Sequence, residues 1–557
     1  MNWSARHPVW CAAALFVVLS LASTYPIARA PSSYAYFDHP DAQLNMWIMA
    51  WDAHALRSNP RTLFDANIFY PAPRTLAYSE TLLGYLPIFG PILWLHGSPI
   101  LAFNAVLLFS FIASGFAMYL LTRHLTGRQW PAIAAGVVYA FAPYRFVHVP
   151  QIQLEAMELF PLTFLSLHLF VEHRTWKWAA AIGACLVLQT LCCVYYAVLM
   201  AMGLFVFGVL LAVLDARLRR PSAVARLAAT AVFAAVLVAP IAGEYGRVHE
   251  RARLERPIVE IAEKSADAST YLASAAPLHL ALGAGRLRGA HDYLFPGVLA
   301  LLLASAGVIS WRRAPIFGAY AAVGLFGVAL SFGPKGFLGI PVYTALHDTI
   351  WFLHGLRQVS RFGVLALFAS AVLAAGGCAL IEARLPRRLA VPAMATIATL
   401  LFLETFSAPL EVDRPGGKAL VRVPPVPAVY SWLARQPAAF AVVELPIPHV
   451  GQVWRNAPYV FWSTVHWHPL VNGYSGFPSP DYPGLQWIVA RFPDDLSRRA
   501  LELRGVRYVV IHWSAYTEAD RPVDLDRLHR TEWLRLRAHF PDADVYELDS
   551  AYRNAGL

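Results

Sequence analysis

Apolar runs of roughly 17–22 residues recur through the first ~410 positions of this chain, and they limit its fold more than any other feature. Each is long enough to cross about 30 Å of hydrocarbon as a helix. Composition agrees, with 57% of the 557 residues hydrophobic and 14% charged, against about a quarter charged in a soluble domain. The mean hydropathy is +0.47. These features describe a polytopic α-helical membrane protein. Residues 1–30 carry Arg6 ahead of an apolar stretch at 9–22, as a signal peptide would. The length of that stretch and the spans that follow favour an uncleaved first span.

Basic clusters set the topology. They are Arg6; Arg123, His124 and Arg128; Arg174 and Lys177; Arg217, Arg219, Arg220 and Arg226; Arg312 and Arg313; and Arg384, Arg387 and Arg388. If all are cytoplasmic, an even number of crossings separates each from the next. Eleven spans meet that condition, near 9–29, 99–121, 131–148, 156–172, 177–194, 196–214, 225–242, 294–310, 314–332, 362–381 and 389–408. The apolar segment 81–96 is short and broken by Gly84, Pro87, Gly90 and Pro91, so it reads as membrane-dipping or interfacial. The N-terminus is then cytoplasmic. Loops 30–98, 149–155, 243–293 and 333–361 and everything after 409 lie outside. Net charge is +10, but the tail is close to neutral, so the excess belongs to short topology-setting loops and gives no reason to expect nucleic acid.

Two domains follow: a membrane part over 1–408, with its first external loop at 30–98, and an extracytoplasmic α/β domain over 409–557. In the tail, "FAVVELPI", "GVRYVVIHW" and "ADVYEL" read as strands. "PAVYSWLARQ" and "PDDLSRRALELRG" read as helices, the second ending at Gly505. Pro-rich "VRVPPVPAV" is the linker. The five cysteines all fall in apolar runs without metal-type spacing, which marks them as small packing residues and leaves the tail free of disulfides.

Four external stretches concentrate ionisable groups. In "YFDHPDAQLNMWIMAWDAHAL" (36–56), Asp41, Asn45, Ile48 and Asp52 share one face of a helix, with Trp47, Trp51 and His54 on a neighbouring face. The helix fits the membrane interface, with aromatics in the headgroups and acids toward a cavity. Asp38 and Asp52 equally fit acids that simply face water. Glu80 follows "NIFYPAPRTLAYS", where it is either an N-terminal helix cap or a cavity acid. In "YRFVHVPQIQLEAMELF" (144–160), Arg145, His148, Gln151, Gln153, Glu155 and Glu158 cluster at the outer ends of two spans. They offer donors and acceptors to sugar hydroxyls or phosphate; a core role for His148 and an interfacial one for Arg145 also stand. Arg357 and Arg361 lie i, i+4 at an outer helix entrance, against the positive-inside bias. They either anchor the span or bind a lipid phosphate. His466 and His468, in "HWHPLVNGYSGF", lack a third metal ligand, and no nucleotide or hydrolase fingerprint appears; "GAGRLRG" at 283–289 has no preceding strand.

The layout resembles the GT-C superfamily of membrane glycosyltransferases. The likeness rests on a first span, a long outer loop with an early acid in "DHPDAQLNMW", a many-span core and an external C-terminal domain. "NIFYPAPRTLAYSETLLG", "YAFAPYRFVHVPQIQLE", "GLRQVSRFG" and "VNGYSGFPSPDY" look like a bacterial group within it, related to protein-mannosyltransferase-like and lipoteichoic-acid-glycosylating membrane proteins. The resemblance implies a polyprenyl-phosphate sugar donor in the bacterial inner membrane and a glycan, lipid or protein acceptor. In such families the first-loop acid is the catalytic base or organises the acceptor, and the resemblance places it at Asp41, with Asp38 as the second candidate. The adjacent acid pair common in such families is absent, since "DHPD" separates its acids by two residues. The implied chemistry is an inverting displacement: a carboxylate takes the acceptor proton, and Arg357, Arg361 or Arg145 offsets charge on the leaving phosphate. Asp52, His54, Glu80, His148, Gln153 and Glu155 are the further candidate substrate contacts. A divalent cation is optional. A transporter or flippase for a lipid-linked glycan, or a non-catalytic envelope-assembly protein, would use the same layout.

Overall fold

A computed structural model describes residues 8–252, 256–283, 292–309, 314–410, 420–437, 440–518, 520 and 523–549. Arg6, Arg312, Arg313 and residues 284–289 of the glycine-bearing stretch lie outside the described residues.

Each of the eleven expected spans contains a helix. In chain order the long helices are α1 (Pro8–Ser23), α2 (Pro40–Ser58), α3 (Leu86–His96), α4 (Pro99–Thr126), α5 (Gln129–Ala140), α6 (Pro143–His148) and α7 (Leu159–His173). They continue with α8 (Trp176–Cys192), α9 (Val194–Leu214), α10 (Pro221–Ala252), α11 (Val298–Ile309), α12 (Ile316–Ser331), α13 (Val364–Arg384) and α14 (Arg387–Thr405). Among the described residues, six helical segments are long and apolar enough to cross a membrane. The expected span 131–148 is divided, because Pro143 forces Ala142 out of the helical region (φ −56°, ψ 135°). That break turns α6 aside and carries Arg145 and His148 with it. The 11 residues of α3 make only about 16 Å of helix, too short for a crossing.

The centre of the helical part is α13, almost wholly buried from Val364 to Cys378 and packed against α5, α11 and α12. The basic clusters gather at one end of the helices: His124 pairs with Glu172 at 3.0 Å, Arg128 with Glu382 at 3.5 Å, and Arg226 donates to the Arg174 carbonyl. The opposite end carries α2, the 63–85 loop and the C-terminal α/β part.

In that part a four-stranded mixed sheet runs β3–β4–β6–β5, from β3 (Ala441–Leu445), β4 (Val506–His512), β5 (Leu534–His539) and β6 (Ala543–Leu548). β3 and β4 are parallel and the other pairs antiparallel. The expected helices form at Ala428–Ala434 and Asp495–Glu502. The second opens on a capping box between Asp494 and Ser497, and Gly505 follows it at φ +65°. A small antiparallel pair, β1 (Tyr34–Ala35) with β2 (Val421–Arg422), ties the linker to the first loop. A second tie is made by backbone. Phe69 N–H donates to Asn472 O at 2.9 Å, Tyr70 N–H to Leu470 O at 3.0 Å, and Leu470 N–H to Asn67 O at 2.6 Å. Residues 469–471 in turn bond to Val442 of β3. The turn-rich first loop is therefore fastened to the edge of the sheet.

Candidate functional site

Helix α2 begins at Pro40, whose fixed φ suits the first helical position, and His39 Nδ1 accepts the Asp41 N–H at 3.2 Å. Its polar face turns toward the 149–155 loop, where Asn45 donates to Pro150 O at 3.2 Å. Its aromatics are enclosed by protein, not by headgroups as the sequence led us to expect. Trp47 donates to Asn67 Oδ1 at 3.2 Å and Trp51 to Leu63 O at 2.7 Å. The loop fastened to the sheet supplies both acceptors, and this is why the rings turn inward.

The Asp41 carboxylate is held from two sides. Tyr474 Oη donates to Oδ1 at 2.5 Å and Gln151 Nε2 to Oδ2 at 2.7 Å. Burial, then the charge of Asp41, pushes the Tyr474 phenol up, so it remains a donor. Two glycines flank the approach. A Cβ on Gly473 would lie 2.4 Å from the Phe69 ring, and one on Gly476 would lie 2.7 Å from the Tyr78 carbonyl. Only glycine lets the 472–477 turn sit this close to the first loop.

From Gln151 the bonding continues. Gln151 Oε1 meets His148 Nδ1 at 2.8 Å, and His148 Nε2 meets Asp292 Oδ1 at 2.8 Å. Asp292 Oδ2 accepts from Gln358 Nε2 at 3.2 Å and from the Ser360 hydroxyl. Burial alone would raise Asp292, but the His148 bond, the charges of His148 and Arg361 and the Ser360 bond hold it below the ordinary carboxylate range. One residue beyond Ser360 stands Arg361, among Tyr144, Tyr195, Tyr196 and Asp292. Its Cζ is 5.3 Å from the centre of the Tyr195 ring, and its buried Nε has no hydrogen-bond partner among the described residues. Tyr144 and Tyr196 join through their hydroxyls at 3.0 Å.

The other expected residues divide by position. Arg145 is fully buried. It donates to Glu155 Oε2 at 2.8 Å, to Ala140 O at 3.1 Å and to Ser110 Oγ at 2.6 Å, with Phe111 stacked 4.0 Å away. Arg145 and Glu155 thus brace the α5–α6 break. Glu80 is a cap, but of a distant helix: its Oε2 accepts the Val194 N–H at 2.9 Å at the start of α9. Arg357 is half exposed and paired with Glu260 at 2.6 Å. Gln153 is half-buried, and its Oε1 has no hydrogen-bond partner among the described residues. Asp38 is exposed on a separate groove of about 420 Å³ beside Trp454, Arg455 and Tyr459. His54 and Asp52 sit at the far end of α2, His54 about 20 Å from Asp41 along the axis. His54 stacks on Trp467 at 4.2 Å and lines a cavity of about 690 Å³ with Arg57 and Trp94. Asp52 is fully buried, its two oxygens without partners among the described residues.

Asp292 lies outside every stretch marked in the sequence, while Tyr474, Gln358 and Ser360 lie within "VNGYSGFPSPDY" and "GLRQVSRFG" with no role of their own assigned there. Asp292 leaves a trace as an acid two residues before an apolar run, and Tyr474 as an aromatic between two glycines. Among the described residues no three His, Cys, Asp or Glu side chains converge as metal ligands, which gives the optional cation no ligand set there.

A family model described as a 6-pyruvoyl-tetrahydropterin synthase related domain, a membrane protein, matches residues 82–245, the stretch from α3 to α10. No curated protein sequence matches the chain. Among solved structures it is similar to the mycobacterial arabinofuranosyltransferase AftD, with TM-score 0.55, 17% identity, and coverage of 97% of this chain and 41% of that one. The chain spans about two fifths of the length of that protein. It also aligns with ArnT from Cupriavidus metallidurans bound to undecaprenyl phosphate, with TM-score 0.48, 12% identity and 99% of each chain. A third alignment is with the Archaeoglobus fulgidus oligosaccharyltransferase AglB in complex with an inhibitory peptide and a dolichol-phosphate, with TM-score 0.46, 12% identity, 92% of this chain and 70% of that one.

Proposed function

We propose that this chain, a multi-pass membrane protein with the fold of the GT-C glycosyltransferases, moves a sugar from a polyprenyl-phosphate carrier to an extracytoplasmic acceptor. The observation that carries the reading is the pairing of Asp41 with Arg361. Asp41 is oriented by two donors, and a chain of hydrogen-bonded side chains runs from it to Ser360, next to Arg361, whose buried Nε has no hydrogen-bond partner among the described residues. Asp41 takes the proton of an acceptor hydroxyl as its oxygen bonds to the anomeric carbon. The bond from that carbon to the phosphate oxygen breaks, and its electron pair leaves on the phosphate, where Arg361 offsets the charge. One displacement without an enzyme nucleophile inverts the anomeric centre.

In this reading 1–408 is the catalytic membrane part in a bacterial inner membrane, and 409–557 is an extracytoplasmic domain that contributes Tyr474. His148 and Gln151 support Asp41. Arg145, Glu155 and Glu80 hold the scaffold, and Asp38, Asp52, His54, Gln153 and Arg357 are not assigned to the reacting atoms.

The test uses the full chain in lipid nanodiscs with a panel of polyprenyl-phosphate pentoses and hexoses. Asp41→Asn should lower transfer about 10²–10⁴-fold, the range of general-base catalysis, with polyprenyl-phosphate binding kept. Arg361→Ala should weaken that binding at least about tenfold, one charge-assisted hydrogen bond. Wild-type transfer by Asp41→Asn removes Asp41 as the base, and unchanged lipid binding by Arg361→Ala removes the phosphate site. A chain that binds and carries the lipid sugar across a bilayer without transferring it is a flippase.

A further inference from the structure

We propose that His148 and Gln151 are positioning residues for Asp41, locked in a single orientation by Asp292. The inference rests on the assignment of Asp41 as the base. Asp292 is fully buried and accepts at every contact, so His148 Nε2 must present its N–H to Oδ1. On the other side of the ring, Nδ1 faces Gln151, whose amide has two possible orientations. With Gln151 Oε1 toward the ring, His148 Nδ1–H donates to it and Gln151 Nε2 donates to Asp41. The reverse orientation sets Oε1 against an Asp41 oxygen, two acceptors with no hydrogen between them. The carboxylates at the two ends of the chain therefore select one amide orientation and place both imidazole hydrogens. This is the second-layer arrangement in which a carboxylate fixes a histidine that in turn fixes a reacting group, extended here by one amide.

The consequence is a base whose two oxygens each have one fixed donor, Gln151 and Tyr474, and a remaining lone pair in a set direction. The second oxygen of Asp292 holds Gln358 and Ser360, on the segment that carries Arg361. One buried carboxylate thus aligns the base side and the phosphate side together. Other titratable or charged groups face this chain. Tyr474 lies on Asp41, with Arg357 and its partner Glu260 nearby. The Tyr144 ring lies 4.3 Å from the His148 ring and tilted against it, Glu155 with Arg145 is close to His148, and Arg361 is close to Asp292.

The experiment reads Asp41 without needing transfer. Full-length protein in detergent is labelled with a water-soluble carbodiimide, which modifies protonated carboxyls, across a pH series, and labelling at Asp41 is quantified by peptide mass spectrometry. A donor to the ionised form lowers an acid's midpoint, so losing it moves the midpoint up. Gln151→Met should raise the Asp41 midpoint by about one pH unit, the scale of one charge-assisted hydrogen bond. His148→Phe should raise it as well, and the double variant should show no further rise, because His148 acts only through Gln151. Asp292→Asn is isosteric and gives a second route to the same upward shift should His148→Phe fail to fold. An unchanged midpoint in His148→Phe or Asp292→Asn, or additive shifts in the double variant, overturns the inference. If Asp41→Asn transfers sugar at the wild-type rate while these shifts appear, the alignment stands and the base assignment falls.

Discussion

At the scale of single residues, Asp52 poses the sharpest energetic question. It lies on the same face of α2 as Asp41, yet its carboxyl is fully buried with no hydrogen-bond partner among the described residues. Burial pushes its pKa well above the ordinary carboxylate value. The folded state then holds the proton more tightly than the unfolded chain. Stability from this group is full below the unfolded pKa of about 3.9 and is lost as pH rises toward the raised folded value. Asp52→Asn keeps the shape and removes the titration. It should raise the thermal unfolding midpoint in detergent more at pH 8 than at pH 4, flattening the profile. Equal changes at both pH values would sink this account. Asp41, eleven positions earlier, has a donor on each oxygen. Identical side chains on one helix face are separated in role by what the rest of the chain brings to them. The same holds for arginine: Arg145 is enclosed by Glu155, Ser110 and Ala140 O, whereas the buried Nε of Arg361 has no hydrogen-bond partner among the described residues.

Among secondary-structure elements, Glu80 shows how distant parts of the chain complete one another. The start of α9 has amides without intrahelical partners, and Glu80 accepts from Val194, 114 positions later in sequence. Glu80→Ala should destabilise the protein by about 1 kcal/mol, in the usual range for a lost helix cap, and Glu80→Gln by less, since its amide oxygen still accepts one N–H. Denaturant or thermal unfolding of the two variants checks the order; a Gln variant as weak as Ala would show that charge, not the bond, holds α9. This long reach also marks where the sequence stops being legible. The face shared by Asp41, Asn45 and Asp52 could be read because helical periodicity is local. Strands β3, β4 and β6 were visible as β-branched runs; β5 has no such run, and Leu536 is exposed together with Arg535 and Arg537, so burial leaves no alternating pattern on it. The chain from Asp41 to Asp292 joins residues 110 and 144 positions apart. No periodicity connects them, so Gln151 could be seen as polar without showing what it touches. Tyr474, 433 positions from Asp41, belongs to a segment that becomes part of the site only once the first loop is fastened to the sheet.

For the whole molecule, charge placement and site placement give one orientation. His124 with Glu172, Arg128 with Glu382 and Arg226 with Arg174 gather at one end of the helices. Asp41, Asp292 and Tyr474 meet at the other. Short basic loops favour the cytoplasmic side, so the proposed orientation has the candidate site outside, where the proposed lipid-linked sugar would be used without nucleotide substrates. The short α3, with Trp94 and Leu95 exposed on it, then lies at the outer boundary and does not change the parity of crossings. Orientation can be read directly with single cysteines in a background where the five native cysteines are replaced by alanine. Ser32 and Arg220 are both exposed, at opposite ends of the helical part. In intact spheroplasts a membrane-impermeant maleimide should label Ser32→Cys and spare Arg220→Cys until the membrane is opened. Labelling of Arg220→Cys from outside, with Ser32→Cys protected, would turn the molecule over and place Asp41 in the cytoplasm. An extracytoplasmic acceptor could not then be its substrate.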